Sequence, residues 1–221
     1  MEKVILKEKD NVDIVGDYYS VQPSKKAVLL LHAMPYDRKS WWDFALRLED
    51  AGFRTLAIDL RGHGESTGGP NGYKKFGDKE HQKSIFDIEA GILFFETESI
   101  ELNEIVLIGA SIGANLALWY AAEHPEIKSA VLLSLGLNYR GIEAELLIRK
   151  LQPGQRIFIA TSLDDERARG NNAETCQLLY YAIPDGVLKK LIIYKAAGHG
   201  TEMLKKKEEP DLSREILKWI Q

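Results

Sequence analysis

Residues 104–120 read Glu-Ile-Val-Leu-Ile-Gly-Ala-Ser-Ile-Gly-Ala-Asn-Leu-Ala-Leu-Trp-Tyr. The first half, Ile105 to Ile108, is a short apolar, β-branched run, the signature of a strand buried on both faces. The second half, from Ala114 onward, is rich in Ala and Leu and reads as a helix. Between them lies Gly109-Ala110-Ser111-Ile112-Gly113, a G-x-S-x-G match. A strand that turns sharply into a helix leaves no room for side chains at the flanking positions, so glycine is required there. The apex residue is forced into a strained backbone, and its hydroxyl points out above the sheet. The helix that follows aims free N–H groups and the positive end of its dipole at that apex, where a developing oxyanion would be stabilised.

Outward from this stretch the chain keeps the same alternation. Lys3 to Lys7 and Val12 to Ser20 read as a hairpin turned at Lys9-Asp10-Asn11. Ala27 to Leu31 and Phe53 to Leu60 are buried strands, with a helix from Ser40 to Ala51 between them. A glycine-rich loop, 61–77, precedes a helix over Asp78 to Glu98. Strands at Ala130 to Leu135, Arg156 to Thr161 and Leu191 to Lys195 alternate with helices at Ile142 to Leu151, Ala173 to Ala182 and Asp211 to Ile220. The expected fold is α/β: a mostly parallel central sheet with helices on both faces and an N-terminal antiparallel hairpin, with residues 1–221 forming a single domain.

Reactive groups of an open parallel sheet gather at the carboxyl ends of its strands. Four sets of residues follow strands directly: His32-Ala33-Met34-Pro35, Ser111, the pair Asp164 and Asp165, and His199 in Gly198-His199-Gly200. A hydroxyl needs a general base within hydrogen-bond reach, which His199 can supply. The imidazole in turn needs a carboxylate to fix its tautomer, and either Asp164 or Asp165 can serve. The chain order is serine, acid, histidine. His32 reads as a buried structural residue at a strand end, His81 and His124 as surface residues, and Cys176 as a small buried hydrophobe.

These segments resemble the α/β-hydrolase superfamily along almost the whole chain. His32-Ala33-Met34-Pro35 through Trp41 resembles its H-G-x-P segment, with Ala33 where glycine is usual. Asp59-Leu60-Arg61-Gly62-His63-Gly64-Glu65-Ser66 is similar to its D-x-R-G-x-G-x-S loop, read here as a structural brace. The resemblance implies Ser111 as nucleophile, His199 as base and the backbone N–H groups of Met34 and Ile112 as oxyanion hole. The superfamily places the acid three residues after a small residue near the strand end, which matches Thr161 to Asp164 and favours Asp164 over Asp165. Ser111 disfavours the dehalogenases and epoxide hydrolases of the superfamily, which carry aspartate at the elbow. The implied function is a serine hydrolase that cleaves small carboxylic esters through an acyl-enzyme. Peptide, amide or thioester cleavage at the same site is an alternative, as is a catalytically silent binding protein. Many relatives insert a lid before the acid-bearing strand. Here residues 135–156 are too few for an independent domain. An open cleft is therefore expected, walled by Tyr36, Trp41 or Trp42, Leu137, Tyr139 and the segment after Gly200.

Composition sets outer bounds. The chain has 221 residues, 45% hydrophobic and 28% charged, as a soluble globular protein does. A net charge of −4 without a basic stripe argues against nucleic acid. A single cysteine cannot form an intrachain disulfide, and the N-terminus lacks a signal peptide's apolar region, so a cytoplasmic location is expected. No apolar run approaches the about 20 residues that span a membrane. No Cys/His cluster has metal-ligand spacing and no G-x-G-x-x-G follows a strand, so neither a metal nor another cofactor is expected. The partner expected is a small-molecule ester; the sequence does not fix an oligomeric state.

Overall fold

The computed structural model describes residues 1–167 and 170–221. Chain order gives β1 (Glu2–Lys7), β2 (Asp13–Tyr19), β3 (Ala27–Leu31), α1 (Trp42–Asp50), β4 (Arg54–Ile58), α2 (Asp78–Gln82), α3 (Ile85–Thr97), β5 (Ile105–Ala110), α4 (Ile112–Glu123) and β6 (Ser129–Leu133). Then come β7 (Asn138–Tyr139), β8 (Ile142–Glu143), α5 (Ala144–Ile148), β9 (Arg156–Ser162), β10 (Glu166–Arg167), β11 (Gly170–Asn171), α6 (Asn172–Ala182), β12 (Leu188–Tyr194) and α7 (Leu212–Ile220). Eight strands form one sheet in the order β1-β2-β4-β3-β5-β6-β9-β12. β1 runs antiparallel to β2, and β2 antiparallel to β4; every later pairing is parallel.

The central strands β3, β4, β5 and β6 are buried at every position. Both faces of the sheet are covered, so β3 and β5 are apolar throughout, while β4 and β6 carry polar residues only at their starts, Arg54, Thr55 and Ser129. One face carries Leu29, Leu31, Leu107 and Leu132 against α3, α4, α5 and α6. The other carries Leu30, Ile108, Val131 and Phe158 against α1 and α7. Full burial of such side chains stabilises by about 1.5–3 kcal/mol each before entropy is counted. Among the described residues no helix is long and apolar enough to cross a membrane.

Two expectations are corrected here. The helix expected over Asp78 to Glu98 is two helices, broken at Lys83 and Ser84. His81, expected at the surface, is 1% exposed, its ring edge-on to Phe76 at 5.4 Å between centroids. The short α2 turns that ring inward instead of letting it run along a solvent face.

The glycine-rich loop after β4 is tied down by buried charge. Asp59 accepts the backbone N–H of Arg38 at 2.7 Å and that of Glu65 at 2.8 Å, and pairs with the Arg38 guanidinium. Ser66 Oγ donates to the Asp59 carbonyl at 2.6 Å and accepts from Val15 N at 2.9 Å, which fastens the loop to β2. Arg61 reaches Asp87 on α3 at 2.8 Å, and Glu8 and Asp10 beyond β1 at 2.6 and 2.9 Å. This is a brace between elements distant in sequence in which carboxylates meet guanidinium and backbone donors, although His63 Nε2 is buried without a hydrogen-bond partner among the described residues.

His32 sits at the end of β3, fully buried. Its Nε2 accepts from Leu60 N at 2.9 Å, so Nδ1 carries the proton and donates to the Ala33 carbonyl at 3.0 Å. Burial pushes its pKa down to about 4. The unfolded imidazole takes a proton near pH 6.5, whereas the folded one stays neutral until about pH 4. A depressed folded pKa gives stability that is present above pH 6.5 and is lost as pH falls toward 4. The stability difference between the wild type and His32→Gln should therefore narrow by about 3 kcal/mol over that interval. Urea midpoints at pH 7 and pH 4 measure it, and a difference that does not change with pH would contradict the assignment.

Candidate active site

β5 ends at Ala110 and α4 begins at Ile112, leaving Ser111 alone to make the turn. Its backbone has φ 55° and ψ −119°, a conformation that L-residues rarely adopt. The flanking glycines explain how so sharp a turn is possible. A Cβ on Gly109 would lie 2.1 Å from the Gly113 carbonyl oxygen, and one on Gly113 would lie 2.4 Å from the Leu31 carbonyl oxygen on β3. Any side chain at either position would push the helix off the sheet. Ser111 N donates to the Leu133 carbonyl at 2.8 Å, which anchors the apex to β6. Ser111 Oγ is buried and has no hydrogen-bond partner among the described residues. Ile112 is the first residue of α4, so its N–H has no acceptor within the helix.

β12 delivers the histidine. After Tyr194 the chain passes Gly198 and enters a short 3₁₀ turn, Gly200–Leu204, with His199 between. His199 Nδ1 lies 2.8 Å from Oδ2 and 2.9 Å from Oδ1 of Asp165. A carboxylate there assigns the proton to Nδ1 and leaves Nε2 as the free basic atom. Nε2 has no partner among the described residues. Glu202 caps this turn, its Oε2 accepting His199 N at 3.2 Å and its Oε1 the Tyr36 hydroxyl at 2.9 Å.

The structure corrects the acid. Asp165, not Asp164, faces the imidazole. β9 runs through Ser162, one residue beyond the expected end, and Asp165 N closes a turn onto the Ser162 carbonyl at 3.1 Å. The small residue three positions before the acid is thus Ser162, not Thr161. Asp165 is 3% exposed and also accepts from Asn172 Nδ2 at 3.0 Å. Burial pushes its carboxyl up, but the bonds from His199, Ser134 and Asn172 outweigh this and hold it below the usual range. Asp164 points the other way. It takes the Ser162 hydroxyl and Gly198 N at 3.0 Å, contacts that also keep its carboxyl low. Ser162 Oγ in turn accepts Ala197 N at 2.8 Å. Asp164 therefore holds the backbone of the histidine loop, while Asp165 holds its ring.

Sequence reasoning missed Ser134 and Asn172. Ser134 follows β6 directly, at φ 54°, and accepts Gly200 N at 2.8 Å while lying against Asp165. The rule that picked out residues after strand ends applies to it equally. Asn172 opens α6, and no local signal ties it to Asp165.

A cleft of about 410 Å³ opens at His199 and the two aspartates, lined by Met34, Pro35, Tyr36, Asp164, Asp165, Glu166, Gly198, His199 and Glu202; Ser111 and Ile112, both buried, are not among its lining residues. Of the expected walls, Tyr36 lines it. Trp41 is a correction: it is fully buried against Phe44, 6.3 Å between ring centroids, in the core beneath α1. Leu137 and Tyr139 are also absent from the lining. Tyr139 lies over Gly136 and packs against the core, and Leu137 is half exposed in the loop before β7. Ala33, the departure from the expected glycine, is fully buried among core residues without a positive φ, so its methyl forces no unusual backbone. Residues 135–156 hold only the β7–β8 hairpin and α5.

A sequence model of the alpha/beta hydrolase fold matches residues 26–179, and the chain belongs to that family. It is 30% identical over 128 residues to the non-heme chloroperoxidase CPO-A1 of Kitasatospora aureofaciens, a match covering 57% of this chain and 42% of that protein. The chain spans half or less of the length of the curated relatives it matches first, 42% and 50%. Among solved structures, DcsB in complex with its substrate analogue superposes with a TM-score of 0.82 at 16% identity, over 99% of this chain and 98% of that one. The esterase Pf2001 of Pyrococcus furiosus gives 0.79 at 21% identity, over 99% and 89%. At such identities these structures share the fold.

Proposed function

We propose that this protein is a serine hydrolase that cleaves small carboxylic esters, with Ser111 as nucleophile, His199 as general base and Asp165 as the acid that orients it. Two observations support the reading: a buried, unpartnered hydroxyl at a strained apex, and, on the loop after β12, an imidazole whose Nδ1 is held by a buried carboxylate. Ser111 Oγ attacks the ester carbonyl carbon while His199 Nε2 takes its proton. The carbonyl electron pair moves onto oxygen, where the N–H groups of Met34 and Ile112 receive it. Collapse breaks the bond to the alcohol oxygen, which takes the proton from His199 and leaves. Water, deprotonated by the same imidazole, then releases the acid from Ser111. That the fold hosts proteins named as esterases supports this choice over other acyl transfers.

The experiment is a series of p-nitrophenyl esters of rising chain length. With only a hairpin and a short helix in residues 135–156, no large closure step completes the site. Acetate to butyrate esters are expected to be cleaved best, with no activation by detergent micelles. Preference for long chains, or a sharp rate increase above the solubility limit, would contradict an open esterase cleft.

A further inference from the structure

We propose that Ser134 positions the base: its hydroxyl pins the backbone beside His199 to the end of β6, and so sets where the imidazole stands relative to Ser111. The inference rests on the esterase reading and adds a positioning residue to it. The loop that carries His199 is held by side chains. β12 ends at Tyr194, and the N–H groups of residues 195–200 then go one after another to side-chain oxygens. Glu208 takes those of Lys195 and Ala196 at 2.9 and 2.7 Å. Ser162 takes Ala197 N at 2.8 Å, Asp164 takes Gly198 N at 3.0 Å, Glu202 takes His199 N at 3.2 Å and Ser134 takes Gly200 N at 2.8 Å. Asp164 and Glu202 are exposed, so water competes with them for the same donors. Ser134 and Ser162 are buried, where a lost bond is not replaced.

Of the two buried serines, Ser134 grips the loop where it meets the rest of the site. A Cβ added to Gly200 would lie 3.3 Å from Ala110 Cβ and 3.7 Å from Ala33 Cβ. Ala110 directly precedes Ser111, and Ala33 directly precedes Met34. Gly200 is therefore the point at which the histidine loop packs on both the nucleophile turn and the Met34 loop. Ser134 is itself fixed to the sheet: its N–H donates to the Ala160 carbonyl at 2.8 Å, one residue beyond the last β6–β9 pair, Leu133 with Ala160. Its φ of 54° is one that glycine adopts without cost, yet the position carries a hydroxyl. That hydroxyl also lies against Asp165 and helps to hold its carboxyl low. One side chain thus reaches the acid and the backbone of the base together, and a displacement of even a fraction of an ångström between base and nucleophile slows proton transfer.

Ser134→Gly removes the hydroxyl and suits the backbone at φ 54°, whereas Ser134→Ala removes it and keeps the strain of the wild type. Urea unfolding checks that each is folded, and either one carries the test. His199 serves acylation and deacylation alike, so a displaced base slows both steps together. On p-nitrophenyl acetate kcat should fall about ten- to thirtyfold, with KM within about twofold of the wild type. Without the Ser134 donor the Asp165 carboxylate attracts the imidazole proton more strongly, so the acid limb of the kcat/KM profile should move up by about half a pH unit. Asp164, Glu166 and Glu202 line the cleft beside His199 and are the same in both variants, so the displacement reads the hydroxyl. A folded variant that keeps most of the wild-type kcat overturns the proposal and leaves the esterase reading intact. So does a loss of kcat with the acid limb in place, or a loss of the fold in both variants, either of which marks a purely structural serine. Wild-type protein that cleaves neither p-nitrophenyl acetate nor the butyrate overturns the esterase reading, and the proposal with it.

Discussion

Ser111→Ala is expected to lower turnover of a short p-nitrophenyl ester by about a millionfold, because the three groups act as one unit and none can substitute for the hydroxyl. The fold should be indifferent to the change. Ser111 Oγ makes no hydrogen bond with the described residues, so its removal breaks none, and alanine meets the same backbone strain at φ 55° that serine already bears. Stability should stay within about 1 kcal/mol of the wild type by urea unfolding. Turnover above a tenth of wild type, in preparations free of other esterases, would contradict the assignment of Ser111. A large loss of stability would show that the hydroxyl has a structural role.

The two aspartates should separate cleanly. Asp165→Asn is expected to cost about 10⁴-fold in turnover, since an amide cannot hold Nδ1 protonated while it also faces the donors of Asn172 and Ser134. Asp164→Asn keeps an acceptor oxygen for Ser162 and Gly198 and should cost about tenfold or less. Turnover of both variants at neutral pH decides it. A larger loss at 164 than at 165 would mean that Asp165 is not the acid.

The one-residue difference between these aspartates shows what a sequence can and cannot convey. The central strands were legible because a strand buried on both faces must be apolar throughout, as Ala27 to Leu31 and Ile105 to Ile108 are. The turn at Ser111 was legible because its glycines are required by contacts within one strand–turn–helix unit and the strand beside it. The end of β9 was not. Thr161 and Ser162 are both small and polar, and only pairing with Tyr194 on β12 shows that the strand continues to Ser162. Adjacent extended residues point to opposite sides, so that single step exchanges the roles of Asp164 and Asp165. Trp41 was misplaced for a similar reason. The 3₁₀ turn Arg38–Trp41 sends it into the core and leaves its neighbour Trp42 half exposed, a choice that depends on where the turn ends. Ser134 and Asn172 come from other strands and helices, and only the folded sheet brings them to Asp165.

The central claim is that Ser111 carries an activated hydroxyl. Its most direct test is reaction with a fluorophosphonate probe followed by mapping of the modified peptide. The account predicts a single adduct on Ser111, formed by the wild type and by Asp164→Asn, and strongly slowed in His199→Ala. A folded protein that takes up no probe, or one labelled at a residue other than Ser111, would contradict it.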